Sequence, residues 1–282
     1  MSVLTTRPAT RLSATEVLAR LHQQKAVRAA KSRRRTAGVW FTRLAILASF
    51  VFAWEWASAS GTINAAFFSQ PSAVLEYMGK ALMDGSVIEN GIVTLREMAL
   101  AFVIGSVAGI AFALLRVSFP YFSDVSGPYI TVLNALPRVA LAPMFVIWFG
   151  LGEESKVALA VSLVVFIVMI TTEAGTRSIE QEYITAMRAM GANRAQIFRR
   201  VLLPGSVPSI FAGLRLAVVY SLLGVVFGEM LAANAGLGQQ IQYFGSTFRT
   251  DGVLGTILFL AAIALALNWL VAIAETRLSK WR

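Results

Sequence analysis

The sequence predicts an all-α polytopic membrane protein with six transmembrane helices and both termini in the cytoplasm. Three observations carry this expectation. The chain is 57% hydrophobic and only 14% charged, whereas soluble domains hold about a quarter charged residues. Its apolar residues gather in runs near the roughly 20 residues a helix needs to cross a bilayer. Its basic residues are also sorted by side. With both termini inside, 19 of the 25 Lys and Arg fall on the cytoplasmic face. Only Lys80, Lys156 and Arg249 fall outside, and Arg96, Arg138 and Arg215 lie within spans or at their ends. That distribution obeys the positive-inside rule.

The elements follow in order. Residues 1–36 form a basic tail that holds nine of the 25 basic residues and ends in Arg33, Arg34 and Arg35. Such a block before an apolar run is drawn to anionic lipid headgroups. Ser13 with Glu16 has the form of a capping box, opening a stretch from Val17 to Lys31. Two readings stand for that stretch, an interfacial helix or a solvated tail. The first span runs from about Val39 to Ala59, with Trp54 and Trp56 suited to an interfacial belt. Ala57-Ser58-Ala59 resembles a signal-cleavage site. The charged region before it is longer than a signal's, so an uncleaved anchor is expected. Residues 61–88 read as an external loop carrying a short helix.

The second span is expected over Ile92 to Leu115, closed by Arg116 and the turn Ser118-Phe119-Pro120. The third covers Tyr129 to Trp148 and is kinked by Pro137 and Pro143, since proline lacks the N–H a helix interior uses. After a turn at Gly150–Glu154 the fourth span covers Val157 to Ile170. The fifth covers Pro208 to Leu231, residues 232–251 are external, and the sixth covers Val253 to Ile273. The membrane-spanning body is residues 37–282, with a cytoplasmic loop over 176–205.

Composition excludes several chemistries. No cysteine is present and the only histidine, His22, lies in the tail. Thiolate metal sites, a Ser-His-Asp triad and a zinc centre therefore lack their parts. No catalytic residue, metal site or cofactor is expected on this chain. No nucleic-acid-binding module follows the tail. A phosphate-binding G-x-x-x-x-G-K-[ST] loop is also missing, because Gly79-Lys80 lacks the upstream glycine and the following Ser or Thr.

The informative segment is the polar loop between the fourth and fifth spans. Ile184, Met187 and Met190 recur at helical spacing up to Gly191, which can take the left-handed C-terminal position. Asn193 can cap a second helix, with Gln196 completing a box. Ile197, Phe198 and Val201 give that helix an apolar face, while Arg194, Arg199 and Arg200 give it a basic one. Pro204 is expected to end it. On these features alone the loop is either a docking knob for a soluble partner or a plain connector.

The loop resembles the cytoplasmic loop of ABC importer permeases, patterned E-A-A-x3-G-x9-I-x-L-P. Thr185-Ala186-Met187 stands at the E-A-A place, with Gly191 and then Val201-Leu202-Leu203-Pro204 at the family spacing. Thr185 replaces the glutamate, Met187 an alanine and Val201 the isoleucine. Residues 135–152, Gly213-Leu214-Arg215, Gly228-Glu229 and Ala235-Gly236-Leu237-Gly238 are similar to the nitrate/sulfonate/taurine branch of type I importers. The resemblance spans roughly residues 65–282.

It implies a permease subunit of an ATP-driven importer in the bacterial inner membrane. Two copies, a homodimer, would pair with two ATP-binding subunits, which carry the ATP and Mg, and with a periplasmic substrate-binding protein. ATPase docking would fall to Thr185, Ala186, Met187, Arg188, Met190, Gly191, Ala192, Asn193, Arg194 and Pro204. The translocation pathway for a small anion (nitrate, a sulfonate, taurine or a similar organic acid) would involve Asn134, Arg138, Tyr220 and Glu229. Arg96 and Arg215 are read as snorkelling to headgroups. The spacings Gly105/Gly109 and Gly224/Gly228 are read as close helix packing, within the subunit or at the dimer seam. The alternatives are a secondary transporter, which needs mid-span coupling carboxylates and an internal repeat, and a polytopic membrane enzyme, which needs clustered carboxylates or histidines at one face. Neither pattern is evident.

Overall fold

The computed structural model describes residues 38–278. The expected capping box at Ser13 and the Val17–Lys31 stretch lie outside those residues. The chain divides into two units, one up to Ile63 and one from Asn64 onward. Within the first unit, helix α1 (Gly38–Ala59) is long and apolar enough to cross a membrane. Trp40, Phe41, Phe50 and Phe52 all point outward, and a helix apolar on its open faces is one that lipid covers. Gly61 closes the helix in the left-handed conformation, at φ 73°.

The second unit is built on α7 (Glu153–Arg177), packed between α4 (Ser86–Ser118) and α10 (Leu203–Ala232). Glycines make this sandwich possible. A Cβ at Gly105 would stand 2.6 Å from Val164, one at Gly109 2.6 Å from the Val165 carbonyl, and one at Gly224 2.6 Å from the Ala160 Cα. Both small-residue spacings therefore face α7 within one subunit. Val164, Val168, Ala160, Ala217 and Val225 are fully enclosed between the three helices.

Helix α12 (Thr250–Leu278) packs against α10 and, at one end, against α3 (Pro71–Met83). There Tyr77 meets Phe244 edge to face, with ring centroids 5.2 Å apart. Two short helices complete that end, α2 (Ala65–Phe68) and α11 (Leu237–Ser246). They occupy the two segments read as external.

The spans are longer than hydropathy alone predicts. Helix α4 starts at Ser86 rather than near Ile92, because Asp84 accepts the Ser86 N–H at 2.9 Å and Asn90 bonds back to the Ser86 carbonyl. Polar turns held by their own hydrogen bonds carry the helix past the apolar run.

Three expectations are corrected. The third span is not one kinked helix over Tyr129–Trp148. It is α5 (Pro120–Ala135) and α6 (Ala142–Phe149), bent by 78° and joined by a 3-10 turn over Arg138–Leu141. Leu136, ahead of Pro137, is forced into extended backbone at ψ 134°. Pro143 sits in the first turn of α6, where its missing N–H costs nothing.

Pro204 does not end the loop's second helix. Helix continues unbroken from Arg194 to Ala232 over 39 residues. A π turn at Phe198–Leu202, in which the Leu203 N–H reaches back to the Phe198 carbonyl, widens the helix ahead of the proline. Finally, Arg96 and Arg215 do not simply snorkel. They form inter-helix ion pairs at 2.7 Å, Arg96 with Glu153 and Arg215 with Glu275.

Candidate functional site: the helix–glycine–helix loop

Between α7 and α10 the chain forms α8 (Gln181–Ala189) and α9 (Arg194–Ile197). The break between them is built as its residue types require. Gly191 sits at φ 78°, the Gly191 N–H donates to the Arg188 carbonyl at 2.9 Å, and the Ala192 N–H donates to the Met187 carbonyl at 3.0 Å. This pair of bonds is a Schellman closure, which satisfies the last carbonyls of α8. Asn193 then opens α9. Its side chain accepts the Gln196 N–H at 2.9 Å, and the Gln196 side chain accepts the Asn193 N–H at 2.8 Å.

Ile184 and Ile197 are buried and seat the two helices. Thr185, Ala186, Arg188, Gly191, Asn193 and Arg194 are exposed, Met187 and Ala192 partly so. Met190 is 74% exposed at the tip. The exposed cations of the same loop are Arg188, Arg194, Arg199 and Arg200. Pro204, expected with this group, is half-buried at the base of α10. Replacing Asn193 by Ala removes one capping acceptor, worth about 1 kcal/mol. Amide exchange at Gln196 and Ile197 should therefore rise roughly fivefold, and an unchanged exchange rate would show the cap to be idle.

The expected pathway residues do not form one group. Asn134 and Arg138 meet at the bend of the broken arm, where the Arg138 guanidinium donates to the Asn134 Oδ1 and to the Leu133 carbonyl, both at 3.0 Å. The same guanidinium lies over the Phe166 ring of α7, 3.8 Å from its centre. Tyr220 is partly buried against Val164, Val168 and Ala217. Glu229 is only 1% exposed, and its hydrogen bonds go to Thr94 and to the Gly238 N–H, to none of the other three.

Two polar clusters were not found by sequence reasoning. Lys156 pairs with Glu97 inside the bundle. At the loop's end of the bundle, Arg116 bonds Glu173 at 2.9 Å and the Ser123 carbonyl at 3.2 Å, while Arg177 bonds Glu173 at 2.7 Å. That cluster fastens the start of α5 to the end of α7, one short turn from α8. The i,i+4 spacing of Glu173 and Arg177 was the available signal, but it gives no hint of Arg116.

Membrane-length helices packed on a central span, a broken arm and one exposed helix–glycine–helix tip define a multi-pass transport permease. The chain belongs to the family of binding-protein-dependent transport system inner membrane components, whose pattern matches residues 101–280. It is 31% identical over 240 residues to the taurine transport system permease protein TauC of Escherichia coli K12, covering 83% of this chain and 87% of that one. It is 25% identical over 258 residues to the putative aliphatic sulfonates transport permease protein SsuC of Bacillus subtilis 168, covering 92% and 93%. The fold is similar to a chain in the crystal structure of a bacterial ABC transporter involved in the import of the acidic polysaccharide alginate. That match has a TM-score of 0.58 and 18% identity, and covers 90% of this chain and all of that one. Members of the family work with ATPase and binding-protein subunits, and ATP hydrolysis belongs to the separate ATPase.

Proposed function

We propose that two copies of this chain form the pore of an importer in a bacterial inner membrane, each copy docking one ATPase subunit through α8 and α9. A periplasmic binding protein delivers the solute to the opposite face, and ATP and Mg bind on the ATPase, with no cofactor on this chain. The observation that carries this reading is the exposed tip from Thr185 to Arg194, built on Gly191 and Asn193 and joined without interruption to α10. ATP binding closes the ATPase pair, the tip moves with it, and the bundle shifts between two packings.

The solute is a small anion of the sulfonate or taurine kind. Two things support this, the likeness to the taurine and aliphatic sulfonate permeases and the placement of Arg138 at the bend of the broken arm beside Asn134. Tyr220 completes the proposed pathway on α10.

Tagged permease purified from membranes containing all subunits tests the assembly. The expected result is capture of an ATPase in equal amount, with uptake of sulfonates and taurine that requires ATP. Ion-driven uptake by this chain alone in liposomes would instead support a secondary transporter and overturn the reading.

A further inference from the structure

The outer end of α10 carries a joint that neither the docking loop nor the pathway uses. The chain leaves α10 at Ala232 and re-enters the bundle as the N-terminus of α11. Three successive backbone N–H groups there each find a side-chain acceptor from elsewhere. The Gly236 N–H donates to Asn90 Oδ1 at 2.7 Å, the Leu237 N–H to Thr94 Oγ1 at 2.9 Å, and the Gly238 N–H to Glu229 Oε2 at 2.7 Å. The Thr94 hydroxyl in turn donates to Glu229 Oε1 at 2.7 Å. Asn90 and Thr94 lie one turn apart on α4, and Glu229 lies on α10, so two spans grip one helix start.

The grip is tight. Leu237 and Thr94 are wholly enclosed. A Cβ on Gly236 would stand 2.2 Å from the Glu229 carboxylate, and one on Gly238 2.4 Å from the Val226 carbonyl. Gly236 also has φ 116°, a conformation glycine alone adopts without strain.

We propose that Glu229 is a positioning residue that clamps α11 to the outer end of α10, so that α11 moves with the helix whose other end holds the docking tip. The proposal rests on the docking reading for its source of motion. From Arg194 to Ala232 the helix is unbroken, about 58 Å long at 1.5 Å per residue. The clamp lies one turn from its outer terminus. Beyond it α11 presents Tyr243, and just past its end Phe248, exposed 54% and 71%. Without Glu229, Asn90 and Thr94 still hold α11 to α4, but the bond to the lever is lost.

The chain has no cysteine, so Ser246→Cys on the exposed side of α11 can be spin-labelled in the purified permease, before assembly with its partners, without background. In the assembled transporter with Glu229 intact, the label should report one immobile population. Glu229→Ala should add a mobile population and lower uptake at least about tenfold, while ATPase capture stays normal. Glu229→Gln keeps an acceptor for the Gly238 N–H and turns its amide toward the Thr94 oxygen. It should restore both readouts to within about threefold, because the bonds and not the charge make the joint. A Gln variant as defective as Ala would overturn the clamp in favour of a charge-dependent role, and an Ala variant with unchanged spectrum and uptake would overturn it outright. If the Ala chain does not accumulate, Glu229→Asp carries the test: its carboxylate falls one methylene short of the Gly238 N–H, a partly mobile label is expected, and a fully immobile label with normal uptake would overturn the joint. Failure of the docking reading would show separately, as loss of ATPase capture with Glu229 in place and the label still immobile.

Discussion

Gly191→Pro should leave the permease at normal abundance in the membrane and abolish ATP-driven uptake. Proline fixes φ near −65°, whereas Gly191 needs φ 78°, so the Schellman closure cannot form. The substitution also deletes the N–H that bonds the Arg188 carbonyl at 2.9 Å. A proline placed against its backbone costs about 3 kcal/mol or more, and every 1.4 kcal/mol is tenfold. The correctly folded tip should therefore become rarer by roughly a hundredfold. Among the described residues nothing lies within 4 Å of a Cβ built at Gly191, so conformation and not space decides the outcome. A graded series follows. Asn, which tolerates the left-handed region, should retain most activity. Ala carries about 1–2 kcal/mol of strain and should fall between Asn and Pro. The ratio of transport to ATP hydrolysis in proteoliposomes measures the series, and a proline variant with a normal ratio would remove the loop from the coupling path.

That loop was the most legible part of the sequence because its logic is local. The left-handed glycine, the Asn193 cap and its Gln196 partner lie within six residues of one another, and each bonds to backbone it can reach without help from the fold. The spans were legible for the same reason, as continuous apolar runs. The bend at Leu136–Pro137 was visible only in part. Two prolines announce an interruption, but the 78° angle depends on how α5 meets α4 and α6 meets α7. Pro204 misled because a π turn can absorb a proline that an α-helix would refuse. The clamp at Glu229 was beyond reach, since Thr94 and Leu237 stand 143 positions apart and nothing in either neighbourhood names the other. Gly236 and Gly238 were noticed as motif residues, while their cause, a carboxylate packed against both, appears only when α10 and α11 are placed together.

The buried pair Lys156–Glu97 sets the second large expectation, a loss of stability on removal of either charge. The two side chains are 8% and 3% exposed, and Glu97 Oε2 has no hydrogen-bond partner among the described residues. Lys156 is also a packing residue, because a Cβ on Gly228 would lie 2.9 Å from its Cγ. Lys156→Met keeps that apolar stem and removes only the ammonium, which isolates the electrostatic part. It leaves a carboxylate between α4 and α7 without its cation, and breaking such a pair costs about 3–5 kcal/mol. For a chain of this size the detergent-solubilised protein should melt about 10 °C lower. The double variant Glu97→Leu with Lys156→Met exchanges the pair for apolar contact, and buried pairs replaced in this way are often neutral or stabilised. It should therefore recover most of the lost melting temperature. A double variant as unstable as the single one would mean that the pair holds α7 in its place between α4 and α10 by specific geometry, and that apolar packing cannot substitute for it.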